Sequence, residues 1–225
     1  MGAATVRAFA AAGSIVTLVD LNEKDAFRVA RETGATAVIG DVSDSGFCNR
    51  TIDDVITACG RVDILVNCAG IILRANANGT ADEDWRRLLA VNVDSVFYMS
   101  RAAVRHMVPQ GSGVIVNFGS IWGDVGATGV VAYCASKGAV HQITRAMALD
   151  HVEDGIRINA VAPGEVNTPM LSSGYLIPPT AKDLDSLAHS TIPMKRLAEP
   201  EEIAEVVLFL ASDAASYMTG AIIPV

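Results

Sequence analysis

Apolar positions along this chain switch repeatedly between a helical period and short continuous runs suited to buried strands. Ala3, Val6, Phe9 and Ala10 share one helical face over residues 3–12, and Gly13 ends that helix. Ile15–Val19 reads as a strand closed by Asp20, and Asp25–Thr33 as a helix ended by Gly34. A second strand, Ala35–Ile39, finishes at Gly40-Asp41, and a helix over Cys48–Cys59 follows, ended by Gly60. The third strand, Ile64–Val66, runs into Asn67-Cys68-Ala69-Gly70. Thr80-Ala81-Asp82-Glu83 has the form of a capping box, and it opens a helical stretch that continues, with a bend, to about His106. Beyond it come a strand over Val114–Asn117, a long helix over Val131–Asp150 and a strand over Ile158–Val161. A helix with Pro200 in its first turn runs through Ala211, and Ala221–Val225 closes the chain as a strand.

Strands that alternate with helices predict a parallel sheet covered on both faces, a three-layer, doubly wound α/β fold. No repeat, low-complexity tract or linker divides the 225 residues, so one domain is expected. The polar stretch from Pro163 to about Pro193 exceeds an ordinary connection, which marks residues 165–192 as a candidate lid over a site.

Composition removes several function classes. A formal net charge of −8 argues against nucleic-acid partners and against anionic membranes. No apolar run approaches the ~20 residues of a membrane span. Cys48, Cys59, Cys68 and Cys134 show neither Cys-x-x-Cys pairing nor metal spacing, and are expected to be reduced thiols of a cytoplasmic protein without a bound metal. His106, His141, His151 and His189 are scattered and are expected to serve at the surface or in helix packing.

The chemistry concentrates in Tyr133-Cys134-Ala135-Ser136-Lys137, with Ser120 upstream at the end of an apolar run. On a helix, Tyr133 and Lys137 stand on one face. A free tyrosine titrates near ~10, and a base working at neutral pH needs about 4 kcal/mol of preference for the phenolate. An ammonium held nearby in a partly dry site supplies that order of energy, so Lys137 is expected to lower the Tyr133 pKa. Such a tyrosine exchanges a proton with an alcohol or carbonyl, and the accompanying hydride needs an acceptor. Asp20, at a strand end, can accept from both hydroxyls of an adenosine ribose and repel a 2′-phosphate, which favours NAD over NADP.

Together with Asn92 in Val91-Asn92-Val93, Asn159, Pro163-Gly164 with Thr168, and the tail from Pro193 to Gly220, these motifs resemble the short-chain dehydrogenase/reductase family, in its simple single-domain form. The resemblance covers essentially the whole sequence and implies a Rossmann-like fold. It implies that Tyr133 is the catalytic acid/base, that Lys137 lowers its pKa and binds the nicotinamide ribose, and that Ser120 holds the substrate oxygen. Asn92 is implied to bend its helix and hold a water in a proton relay. Gly2, Asp20 with Leu21, Asp41 with Val42, Asn67, Ala69 and Gly70 are implied to line NAD, and Pro163, Gly164, Val166 and Thr168 to hold its carboxamide end. The implied substrate is a secondary alcohol or its ketone: a sugar, polyol, cyclic diol or 3-oxoacyl thioester. Ser172, Ser173 and Tyr175 in the lid suit a hydroxylated small molecule, and Trp122 is a candidate pocket wall. A homotetramer or homodimer is the implied assembly.

The family opens with a strand and Thr-Gly-x-x-x-Gly-x-Gly, whereas here Gly2 stands as the last glycine of that run, and Val225 falls a few residues short of the usual end. The expectation is a sheet lacking its central strand, between those ending at Asp20 and Asn67, in a fragment of a longer parent that is unstable or binds NAD weakly on its own. An NAD-binding scaffold without turnover stays open as an alternative. A serine hydrolase does not fit, because Gly119-Ser120-Ile121-Trp122-Gly123 has the wrong spacing for a nucleophile elbow.

Overall fold

A computed structural model describes residues 1–225. Parallel pairing dominates, as alternating strands and helices require. β1 (Thr17–Asp20) pairs with β2 (Thr36–Ile39), and β3 (Ile64–Asn67), β4 (Gly113–Phe118), β5 (Ile156–Ala162) and β6 (Ile222–Pro224) form a second ladder in that order. β4 and β5 are buried along nearly their whole length, which is why their sequences read as unbroken apolar runs. Ile15 is exposed rather than part of β1, which starts two residues later than the apolar run suggests.

Helices cover both faces. α3 (Ser45–Cys59), α5 (Ser95–Gln110) and α6 (Val131–His151) enclose one apolar cluster with β3–β5; α1 (Gly2–Ala11) and α9 (Pro200–Ala211) enclose another on the opposite face. α2 (Glu23–Thr33) starts at Asn22, whose side chain accepts from the Asp25 N–H, and ends at Gly34 in the left-handed region with φ 76°.

β1 and β3 each have a ladder partner on one side only. The interruption falls where the family resemblance places an additional strand. α1 packs against both α2 and α9, and Phe9, Val16, Ile64 and Val66 share one apolar cluster across the break.

Two local readings need correction. No capping box forms at Thr80: α4 (Asp82–Leu89) is capped by Ala81 without a side-chain bond, and the Thr80 hydroxyl donates to the Asn76 carbonyl at 2.8 Å. The helix starts one residue later than the motif requires, with Ala81 rather than Thr80 at the N-cap, and the acids Asp82, Glu83 and Asp84 serve its N-terminus. The long stretch after β5 carries α7 (Pro169–Ser172) and α8 (Ala181–Thr191). Boxes do form at Thr180 with Asp183, the shorter acid standing in place of Glu or Gln, and at Glu199 with Glu202.

Candidate active site

The C-terminal ends of β3, β4 and β5 face one cleft, as strand ends do in open parallel sheets. β4 delivers Ser120, which caps a short turn over Ile121–Gly123 and accepts the Trp122 N–H at 3.2 Å. β5 delivers Pro163, Gly164, Glu165 and Val166. Ser120, Trp122, Tyr133, Glu165 and Thr168 all line the cleft, with Arg74 from the loop after β3. The first turn of α6 brings in Tyr133, whose ring meets Trp122 edge-on at 6.1 Å. This T-shaped contact fixes the phenol's orientation.

Lys137 lies one turn on, fully buried, with Nζ 5.6 Å from the Tyr133 ring centroid and donating to the Phe118 carbonyl at 2.7 Å. Burial lowers its pKa to about 8, against a small opposing push from Cys68. Tyr133 departs from expectation. Burial pushes its pKa up to about 12; the Ser120 hydroxyl draws it back, and the Glu165 charge raises it further. Desolvation outweighs the neighbouring cation here because that cation is itself desolvated and turned onto a carbonyl.

Asn92 occupies a π-helical turn, Ala90–Asp94, between α4 and α5, and this is the bend in the helical stretch. Its side chain accepts the Ile71 N–H at 2.8 Å and donates to the Ile71 carbonyl at 2.9 Å and to Ser136 Oγ at 3.0 Å. The amide is therefore a clamp between the β3 loop and α6. Ser136, which donates onward to the Tyr133 carbonyl at 2.8 Å, is the partner that sequence reasoning missed. Its position in Tyr-Cys-Ala-Ser-Lys was the available signal.

Asn67 is likewise a tie between elements. Its amide nitrogen donates to Ser100 Oγ at 3.0 Å and to Asn117 Oδ1 at 2.9 Å, while Asn117 donates to Thr144 Oγ1 at 2.9 Å. This buried network ties β3 and β4 to α5 and α6 through the Asn67 amide nitrogen. Val42 packs against the main apolar cluster, and Leu21 is exposed beside β1. Ser172, Ser173 and Tyr175 do not line the cleft. The Ser173 hydroxyl donates to the Met170 carbonyl, and the Tyr175 ring lies under the Arg74 guanidinium at 4.0 Å.

A second buried group stands behind the site. His141 follows Tyr133 and Lys137 at helical spacing, and its Nδ1 is 3.0 Å from Asp124 Oδ1. A Cβ on Gly119 or Gly123 would overlap its imidazole, so these two glycines let the Ser120 loop close onto the ring. The expected helix-packing role takes a specific form: the buried ring wedges α6 against the loop that carries Ser120.

The residues present suit the nicotinamide end of a dinucleotide. A Cβ on Gly70 would lie 3.4 Å from Asn92 Oδ1 and 3.6 Å from Lys137 Nζ, so the Gly70 backbone runs directly beside the two side chains. Thr168 precedes α7 without using its hydroxyl as a helix cap, which leaves a donor facing the cleft. At the far wall, Asp20 is exposed and accepts the Asn22 N–H at 2.9 Å. Asp41 accepts the N–H and hydroxyl of Ser43, which lower its pKa. Gly2 opens α1 with its Cα beside Cys68. No cluster of His, Cys, Asp and Glu is arranged to hold a metal ion.

Comparison with known proteins supplies the class. Residues 1–225 match the family model described as enoyl-(acyl carrier protein) reductase. A meso-2,3-butanediol dehydrogenase of Serratia marcescens is 41% identical over 228 residues, covering 100% of this chain and 88% of that protein. The structure of an NAD+-bound xylitol dehydrogenase superposes with a TM-score of 0.90 at 31% identity, covering 100% of this chain and 92% of that one. A gluconate 5-dehydrogenase from Burkholderia cenocepacia, in complex with NADP and tartrate, superposes with a TM-score of 0.89 at 32% identity, covering 99% and 88%.

Proposed function

The chain belongs to the short-chain dehydrogenase/reductase family, an oxidoreductase class acting on CH–OH donors, and on that premise we propose that it moves a hydride between NAD(H) and a neutral secondary alcohol or ketone. The observation that carries this reading is the convergence of Ser120 and Tyr133 in one cleft, with Lys137 buried a helical turn behind the phenol. When bound, the nicotinamide supplies hydride acceptance or donation. Ser120 positions the substrate oxygen by hydrogen bonding, and Tyr133 exchanges the hydroxyl proton. A phenol near 12 holds its proton firmly and suits donation to a nascent alkoxide. In the oxidative direction the phenol must first give up its proton, so the oxidation rate rises with pH. Thr168 and the Pro163-Gly164 turn orient the carboxamide, and Gly70 gives the ring room. Asp20 favours NAD, since its carboxylate repels a 2′-phosphate.

The segment 165–192 acts as the lid. Arg74 ties it down through Ser173 and Leu171 carbonyls at 2.9 and 3.1 Å. Exposed Phe97, Leu149, Phe209 and Tyr217 support a homotetramer or homodimer. Four unpaired cysteines, together with the lack of any helix long and apolar enough to cross a membrane, support a cytoplasmic setting.

The test is NADH absorbance across a panel of secondary alcohols, ketones and a 3-oxoacyl thioester, with NAD and NADP in parallel. Tyr133→Phe should lower kcat by about 10²–10⁴-fold. Unchanged turnover in that variant would remove Tyr133 as acid/base.

A further inference from the structure

Glu165 follows the Pro163-Gly164 turn at the end of β5 and lines the same cleft as Ser120, Trp122 and Tyr133. Its main chain is pinned: the carbonyl accepts the Ala198 N–H at 3.1 Å, and Val166 bridges to Ala198. Its carboxylate, partly buried, accepts no hydrogen bond from any protein group. Arg74 is the opposing charge in the cleft, but it forms no ion pair with Glu165. Its Nε and Nη2 are taken by lid carbonyls, and its face by the Tyr175 ring at 4.0 Å. The carboxylate is half-buried and open to the cleft; this partial burial raises the Glu165 pKa, and Arg74 tempers it. The cleft therefore presents a strong acceptor that no protein donor occupies, beside the acid/base.

We propose that Glu165 is the specificity-determining residue of this cleft, accepting a hydrogen bond from a second hydroxyl on the carbon next to the reacting carbinol. The substrate class is then a neutral vicinal diol or polyol, or the matching hydroxyketone. The same charge repels carboxylates, so hydroxy acids are excluded by a like-charge clash rather than by size. A polar group that requires a substrate hydroxyl discriminates strongly against the analogue lacking it, because binding that analogue leaves the carboxylate without a donor.

This inference rests on the alcohol dehydrogenase reading above, and the experiment separates the two. Turnover of 2,3-butanediol, 2-butanol and lactate is compared in the wild type, Glu165→Leu and Glu165→Gln. The wild type should prefer the diol over 2-butanol. The kcat/KM ratio between them should fall roughly 10- to 100-fold in Glu165→Leu, the size expected for losing a hydrogen bond to a charged acceptor. Both variants should gain on lactate relative to 2-butanol. A diol-to-mono-alcohol ratio unchanged in Glu165→Leu overturns the assignment. A thermal-shift titration with the diol provides a readout independent of turnover, and stabilisation should be seen in the wild type and lost in Glu165→Leu. If no alcohol turns over but this diol stabilisation still depends on Glu165, the activity reading fails and the assignment stands. If the diol stabilises both proteins equally, the assignment fails.

Discussion

Lys137 shows how burial and function pull against each other at a single side chain. Its pKa falls from an ordinary 10.5 to about 8 because the ammonium is fully desolvated. A lowered amine pKa means that its contribution to stability is full above pH 10.5 and is lost as pH falls through 8. At neutral pH the buried charge costs about 3 kcal/mol. Replacement by methionine removes that cost along with the hydrogen bond to Phe118. The stability of Lys137→Met relative to the wild type should therefore grow from pH 10.5 down to about 8 and level off below. Urea unfolding at pH 7 and pH 10 checks this, and activity should fall at both. His141 offers a second residue-scale case. His141→Leu keeps the wedge behind Gly119 and Gly123 but loses the bond to Asp124, so the loop should loosen without collapse. The expected result is a kcat loss of about tenfold or more at nearly constant cofactor affinity, measured by steady-state kinetics and NADH fluorescence. At the far wall, Asp20→Ser should raise kcat/KM with NADP relative to NAD by at least about tenfold, because the repelling carboxylate is gone. Parallel assays with the two cofactors read it out.

At the scale of elements, the α4–α5 helix pair is broken by a π-helical turn, and the turn is held by one amide. Asn92 closes three bonds with Ile71 and Ser136, so it couples the loop after β3 to the helix that carries Tyr133. Asn92→Leu leaves the Ile71 N–H and carbonyl without these partners in a half-buried setting. A loss of about 2–4 kcal/mol in unfolding free energy is expected, together with reduced turnover. Chemical denaturation measures the first and NADH absorbance the second. The helical stretch and its bend were legible from the apolar period, and Asn92 stood out as a polar residue inside it. The clamp was not, because its partners lie 21 and 44 residues away. The failed box at Thr80 has the same cause on a smaller scale. The turn over Ala77–Gly79 sets where the helix begins, and it puts Ala81, not Thr80, at the cap position.

For the molecule as a whole, the sheet is divided between a two-stranded and a four-stranded ladder. β4 and β5 each have two ladder neighbours and helices on both faces, while β1 and β2 rest on a small cluster around Leu18, Ala26 and Val29. Stability should be uneven as a result. Amide hydrogen exchange is expected to be slowest in β4 and β5 and at least about tenfold faster in β1 and β2, with both ladders differing from a uniform global opening. Exchange mass spectrometry at peptide resolution would detect this.

The order of the strands and of the helices outside residues 163–193, the strand-end positions of Asp20 and Ser120, and the helical spacing of Tyr133 and Lys137 were settled by the amino-acid sequence. Each depends on neighbours a few residues away, where period and turn chemistry act. Three matters were decided only once the chain was packed: the raised tyrosine, the distant partners of the Asn67 and Asn92 amides, and the place of Glu165 in the cleft without a protein donor. Desolvation and hydrogen-bond competition depend on which distant groups share a volume, and no local pattern encodes that.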